Sequence, residues 1–171
     1  MRVINLFGGP GAGKSTTAAS VFVELKCRGL NVELVTEYAK DLTWEARHNV
    51  LSDQVYILAK QHRRIARLEG KVDWVVTDAP FILGLVYTPE DYLRNFEPLL
   101  MELWNQYENN CFLLERGDIK FHQAGRNQNL EQAKEIDATL RNLLETRGVD
   151  FTEIRTGDTA AKDILKKLNI D

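Results

Sequence analysis

Apolar and polar positions along the chain fall into short apolar runs that alternate with longer helical patterns. Val3–Phe7 (VINLF) reads as a buried strand. Lys14–Arg28 has Ala18, Val21, Phe22 and Leu25 at helical core spacing, and Gly29 stops it, as glycine does just past a helix. Val32–Thr36 predicts a second strand. Val50–Leu68 predicts a long helix with Leu51, Val55, Leu58, Ile65 and Leu68 inward. Trp74–Thr77 is a third, strongly apolar strand. Gly84–Tyr87 and Tyr92–Tyr107 read as helical, the second interrupted near Pro98. Cys111–Leu114 predicts a fourth strand. Leu130–Thr146 is a helix with Leu130, Ala133, Ile136, Leu140, Leu143 and Leu144 inward. Phe151–Ile154 and Ala160–Leu168 supply a fifth strand and a closing helix. Five strands alternating with helices predict an α/β fold, a parallel sheet covered by helices on both faces. Gly117–Asn129 is polar, too long for an ordinary connection, and reads as a functional lid.

Length and composition narrow the class. The 171 residues predict one domain, 1–171, able to bury a core without disulfides. Cys27 and Cys111 lack metal or CxxC spacing and are expected to be buried thiols. No apolar run approaches a membrane span, and the N-terminus has no signal-peptide pattern, so a cytoplasmic enzyme or switch is expected. The net charge of −3 disfavours a protein that coats nucleic acid by charge alone.

The segment Gly8-Gly9-Pro10-Gly11-Ala12-Gly13-Lys14-Ser15 fits G-x-x-x-x-G-K-[ST], between a strand and a helix. Gly8, Gly11, Ala12 and Gly13 would turn backbone N–H groups toward phosphate oxygens, and the following helix adds its positive end. Lys14 would reach the β- and γ-phosphates, the Ser15 hydroxyl would ligate Mg²⁺, and Thr16 would add a donor near the α-phosphate. These residues predict ATP or GTP binding; no Asn-Lys-x-Asp segment is present to select guanine. Asp78 closes the third strand, where an acidic residue could hold the Mg²⁺ shell or accept a proton. Glu37 closes the second strand and is a candidate general base. Tyr38 could stack on a base, and Asp53 and Gln54 could hydrogen-bond one. Arg116, Lys120, His122 and Arg126 lie in or beside the lid, and Arg116 and Arg126 are candidate clamps on the transferring phosphoryl group. Lys60, Arg63, Arg64 and Arg67 form one helical stripe, either a solvated face or a contact for DNA. His48 and His62 have no partners at zinc spacing.

The Walker A loop, Thr36-Glu37-Tyr38-Ala39-Lys40, Val76-Thr77-Asp78-Ala79-Pro80 and Leu114-Glu115-Arg116 before the lid occur in an order that resembles small P-loop kinases over nearly the full length. The chain looks most similar to the short ATPase/kinase proteins of tailed bacteriophages. Those are similar to nicotinamide riboside kinase domains of bacterial NAD-salvage regulators and, more distantly, to nucleoside and nucleotide kinases. Lys40 stands where those relatives usually carry Arg, a point charge in place of a fork. The resemblance implies a P-loop NTPase sandwich with strand order 2-3-1-4-5, a lid before the last strand, and phosphoryl transfer from ATP. It implies a nucleoside, a nucleotide or a 5-hydroxymethyl pyrimidine in DNA as acceptor, and the host cytoplasm if the protein is phage-encoded. The alternative is an NTPase switch that acts on a protein partner without a small acceptor.

Overall fold

In the computed structural model, residues 1–117, 121–122, 124–125 and 127–170 are described. Five strands form one sheet: β1 (Arg2–Phe7), β2 (Val32–Val35), β3 (Trp74–Thr77), β4 (Glu108–Glu115) and β5 (Thr152–Arg155). Their order is β2-β3-β1-β4-β5 and every pairing is parallel. This is the three-layer P-loop NTPase arrangement and strand order that the resemblance implies.

The pleat of β1 explains the layering. Val3 and Phe7 point to one face, and Ile4 and Leu6 to the other. On the first face lie α3 (Gln54–Ala66), α4 (Phe96–Trp104) and α5 (Leu130–Thr146), with Leu58, Ile65, Leu100, Leu140 and Leu144 in a common core. On the second lie α1 (Lys14–Cys27) and α6 (Ala160–Lys167), which bury Val21, Leu25, Ile164 and Leu165. Buried side chains of this size each stabilise the fold by roughly 1.5–3 kcal/mol. Asn5 is the polar exception within β1, and its Nδ2 donates to Asn109 Oδ1 of the neighbouring strand at 2.9 Å.

Several elements depart from the sequence pattern. A helix α2 (Tyr38–Trp44) follows β2 where no helix was expected, and it buries Leu42. Helix α3 starts at Gln54 rather than Val50, because Asp53 caps it by accepting the Tyr56 N–H at 3.0 Å. Its inward face carries Gln54, Leu58, Gln61 and Ile65, while Val55 is exposed. Two glutamines thus take core positions that polarity alone assigns to solvent. Gly84–Tyr87 belongs to a longer 3-10 helix, Phe81–Tyr87. Helix α4 begins at Phe96, so Pro98 sits in its first turn, where a missing N–H costs nothing. Strand β4 begins three residues early, since Glu108, Asn109 and Asn110 pair with β1 despite being polar.

Cys111 is buried as expected, but Cys27 is exposed. It lies two residues beyond the buried Leu25 at the end of α1, on the helix's outer side. Leu130, expected inward, is also exposed, at the open start of α5.

Candidate active site

The carboxyl ends of β1, β2 and β3 open on one cleft. Strand β1 runs directly into the Gly8–Ser15 loop, which wraps to the start of α1. Gly11 (φ 75°) and Gly13 (φ 91°) adopt left-handed backbone that a side chain would strain. Gly8 and Ala12 meet beneath the loop: a Cβ on Gly8 would stand 3.0 Å from the Ala12 Cβ. Lys14 folds back inside the loop, and its Nζ donates to the Gly8 carbonyl at 2.6 Å and the Gly9 carbonyl at 3.1 Å.

A cavity of about 500 Å³ begins at this loop and is bordered by Gly11, Gly13, Lys14, Ser15 and Thr16. It continues past Glu37, Lys40 and Asp78 into a chamber walled by Ile57, Leu58, Phe81, Leu83, Phe96 and Leu100. The structure therefore brings Lys14, Ser15, Glu37, Gln54 and Asp78 to one space. The parallel register explains the carboxylates: Val35 of β2 pairs with Thr77 of β3, so Glu37 and Asp78 follow adjacent strand ends.

Glu37 occupies the N-cap position of α2 yet makes no side-chain capping bond, which leaves its carboxylate to the cavity. Burial raises its pKa, Lys14 opposes the shift, and the neighbouring negative Asp78 adds to it. Burial also raises the Asp78 pKa, against the pull of Lys14 and of the backbone amides of Asp78 and Glu37. Lys14 is affected in the opposite sense: burial lowers its pKa, and Glu37, Asp78 and Asp137 restore part of it.

Asp78 is 4% exposed, and its Oδ1 has no hydrogen-bond partner. A buried carboxylate oxygen without a partner loses its hydration uncompensated. It is suited to a hydrated cation or a substrate hydroxyl. With the Ser15 hydroxyl on the same cavity, these hard oxygen donors fit Mg²⁺, which takes few protein ligands and keeps waters. Among the described residues, no cluster of three or more His, Cys, Asp or Glu side chains is placed to hold a metal by itself.

Other candidates fall elsewhere. Tyr38 is not among the cavity's walls; its hydroxyl bonds Tyr56 at 2.8 Å and the Arg64 guanidinium covers its ring. The stacking role expected for it is thus lost to packing between α2 and α3. Asp53 is engaged as a helix cap. Arg116 does not line the main cavity, but is bound to Asp137 and to the backbone of the phosphate loop. That replaces its expected place as a lid clamp. Arg126 and Lys120 lie outside the described residues, as do Asp118, Ile119, Gln123 and Asp171. His122 borders the cavity, and the His62 ring packs edge-on against Phe81.

Gln61 joins these residues without a motif that marks it. Its Oε1 accepts the Tyr38 N–H at 3.0 Å and its Nε2 donates to the Thr36 carbonyl at 3.3 Å. One amide thus braces both sides of Glu37. A buried glutamine at helical core spacing was the available signal.

A smaller cavity of about 180 Å³ lies past Gly11, between the ends of β4 and β5, and is bordered by Arg116, Gly117, Leu130, Lys134 and Thr156. Gly117 permits the strands' close approach, since a Cβ there would fall 2.0 Å from the Thr156 carbonyl oxygen. The exposed Leu130 lies on its border.

The family described as an AAA domain matches residues 3–162. The chain belongs to that family. No curated protein matches the sequence of this AAA domain. Its fold is similar to the NadR protein solved with NAD and AMP-PNP, at TM-score 0.75 and 16% identity, over 99% of this chain and 50% of that one. The domain thus spans half of the NadR chain. Deoxyadenosine kinase from M. mycoides with bound dATP matches at TM-score 0.59 and 16% identity, over 99% of this chain and 100% of that one. Thymidylate kinase from Ehrlichia chaffeensis matches at TM-score 0.61 and 16% identity, over 98% of both chains. No helix among the described residues of the AAA domain is long and apolar enough to cross a membrane.

Proposed function

We propose that the chain acts as one ATP- and Mg²⁺-dependent kinase domain that transfers the γ-phosphoryl group to a hydroxyl of a nucleoside-sized acceptor. The observation that carries this reading is the continuity of the cavity: phosphate loop, two carboxylates and an apolar chamber share one space. The similarity of its fold to deoxyadenosine kinase and thymidylate kinase supports it. A switch that only hydrolyses nucleotide has no need of such a chamber.

On this reading, the Gly11–Thr16 backbone and Lys14 bind the β- and γ-phosphates, and the smaller cavity beyond Gly11 receives the donor base. Ser15 and Asp78 hold the Mg²⁺ shell, which neutralises phosphate charge when bound. Glu37 accepts the proton of the acceptor hydroxyl as its oxygen bonds to the γ-phosphorus, and the bond to the β-bridging oxygen breaks to release ADP. A carboxylate whose pKa is raised is a stronger base for that step. Gln54, buried on the chamber wall, presents an amide to the acceptor ring; its Nε2 donates to the Leu51 carbonyl at 2.7 Å.

The apolar wall of the chamber supports a neutral acceptor. Among its described lining residues beyond the phosphate loop, Lys40 and His122 are the basic ones. The helix α3 stripe is not part of the wall. Arg64 is bound to Asp41 and to the Thr36 carbonyl, and Lys60 lies over the Tyr56 ring. A second reading, a hydroxymethyl pyrimidine within DNA, draws on the exposure of Lys60, Arg63 and Arg67 along the outer side of α3.

The test is to incubate the protein with γ-labelled ATP and Mg²⁺ against nucleosides, monophosphates, and duplex DNA with and without hydroxymethyl pyrimidines. Label in the nucleoside pool is expected. Label in modified DNA alone would establish the second reading, and label released only as inorganic phosphate in every pool would overturn both.

A further inference from the structure

The first half of the phosphate loop is gripped from outside the main cavity by Asp137 and by Arg116, which also borders the smaller cavity. Asp137, on α5, accepts the Gly9 N–H through Oδ1 at 2.6 Å. Its Oδ2 accepts from Arg116 Nε at 2.5 Å. Arg116 Nη2 then donates to the Pro10 carbonyl at 2.9 Å and to the Ala133 carbonyl at 3.2 Å. The pair is mostly shielded, with side chains 18% and 25% exposed for Arg116 and Asp137. The packing leaves no slack: a Cβ on Gly9 would fall 2.5 Å from the Ala133 carbonyl oxygen and 2.7 Å from Asp137 Oδ1. From inside the loop, Lys14 holds the Gly9 carbonyl. The N–H and C=O of one residue are thus fixed by opposite charges on opposite sides.

We propose that Asp137 and Arg116 are positioning residues of the phosphate loop, which set the Gly9 and Pro10 peptides so that the remaining N–H groups and Lys14 face the donor phosphates. The proposal rests on the reading of Gly8–Ser15 as the donor site. Two physical arguments support it. A glycine-rich loop that samples other shapes binds with an affinity reduced by its competent fraction, so a brace strengthens binding by holding the loop in its competent shape. In addition, a carboxylate beside a triphosphate site repels the ligand unless it is neutralised, and Arg116 supplies the matching charge. Arg116 carries both duties because its planar fork reaches a carboxylate through Nε and two carbonyls through Nη2, a spread that the single nitrogen of a lysine does not cover.

The charge argument yields a signature that mere structural support does not. Binding of ATPγS with Mg²⁺ is measured by calorimetry for wild type, Asp137→Ala, Asp137→Asn, Arg116→Lys, Arg116→Ala and the double variant Arg116→Ala/Asp137→Asn, with thermal unfolding of each. Asp137→Ala and Arg116→Ala are expected to weaken binding about tenfold or more, the range of a lost charge-assisted hydrogen bond. Asp137→Asn, which keeps an acceptor for the Gly9 N–H, is expected to lose less. The double variant is expected to bind several-fold more tightly than Arg116→Ala alone, because it removes the stranded carboxylate. Binding within twofold of wild type in Asp137→Ala and Arg116→Ala would overturn the proposal. So would a double variant no better than Arg116→Ala. Should Arg116→Ala fail to fold, Arg116→Lys and Asp137→Asn decide: both weakened supports the brace, and both unchanged overturns it. Failure of wild type itself to bind ATPγS would instead remove the donor-site reading.

Discussion

The two halves of the cavity are built in different ways. The donor half of the main cavity is lined by one continuous stretch, Gly8–Thr16, shaped by its own glycines and the helix that follows and held from behind by Asp137 and Arg116. The acceptor half is collected from α2, α3, the 3-10 helix and α4, so that Gln54, Phe81 and Leu100 meet only after packing. A local site tolerates change elsewhere as long as its backbone is kept. A collected site depends on every element that carries it, and it is where relatives of one fold can differ in substrate.

This contrast orders the expected effects of mutation. Lys14→Ala should reduce phosphoryl transfer the most, by about 10²–10³-fold or more, since it removes a positive charge aimed at the transferring group. Circular dichroism should show the fold intact, and wild-type turnover would break the assignment of the donor half. Glu37→Gln should follow, at about 10²-fold or more in kcat, the loss of a general base. The same role fixes a pH dependence. Because burial raises the Glu37 pKa above its usual 4.5, the reactive carboxylate is present at higher pH and is lost as pH falls through that raised value. The acid limb of the kcat profile should therefore lie above pH 4.5 and vanish in Glu37→Gln. Asp78→Asn should raise the Mg²⁺ concentration needed for half-maximal rate more than it alters saturating kcat, measured by magnesium titration.

Smaller effects sharpen the acceptor side. Gln61→Leu keeps volume but leaves the Tyr38 N–H and Thr36 carbonyl without that partner. It should cost about 1–3 kcal/mol in denaturant unfolding. It should also lower kcat while leaving ATP affinity within about twofold; loss of ATP affinity instead would show that the two halves are not separable. Gln54→Ala should raise the acceptor KM several-fold and leave the ATP KM unchanged, by steady-state kinetics.

What the sequence made legible follows the same division. The strands of the parallel sheet and the phosphate loop were readable because each is set by local pattern: the apolar β1 run, the GKS at a helix start, the apolar β3 strand closing on Asp78. The places of Tyr38 and Arg116 were not readable. Both carry groups suited to a ligand, but tertiary partners claimed them: Tyr56 and Arg64 for Tyr38, Asp137 for Arg116. Gln61 shows the converse. Its polarity suggested solvent, yet two backbone groups beside Glu37 made the interior the better place. Helix α2 was hidden because seven residues carry too little periodicity, and its stability comes from packing against α3.

The central claim is that donor and acceptor meet in one cavity at Glu37 and Asp78. The most direct measurement is a crystal structure with AMP-PNP, Mg²⁺ and the nucleoside that accepts label. Triphosphate oxygens are expected in the Gly11–Thr16 loop, the nucleoside ring between Leu58, Phe81 and Gln54, and its hydroxyl within hydrogen-bond distance of Glu37 or Asp78. A nucleoside bound on the outer side of α3, or away from both carboxylates, would contradict it.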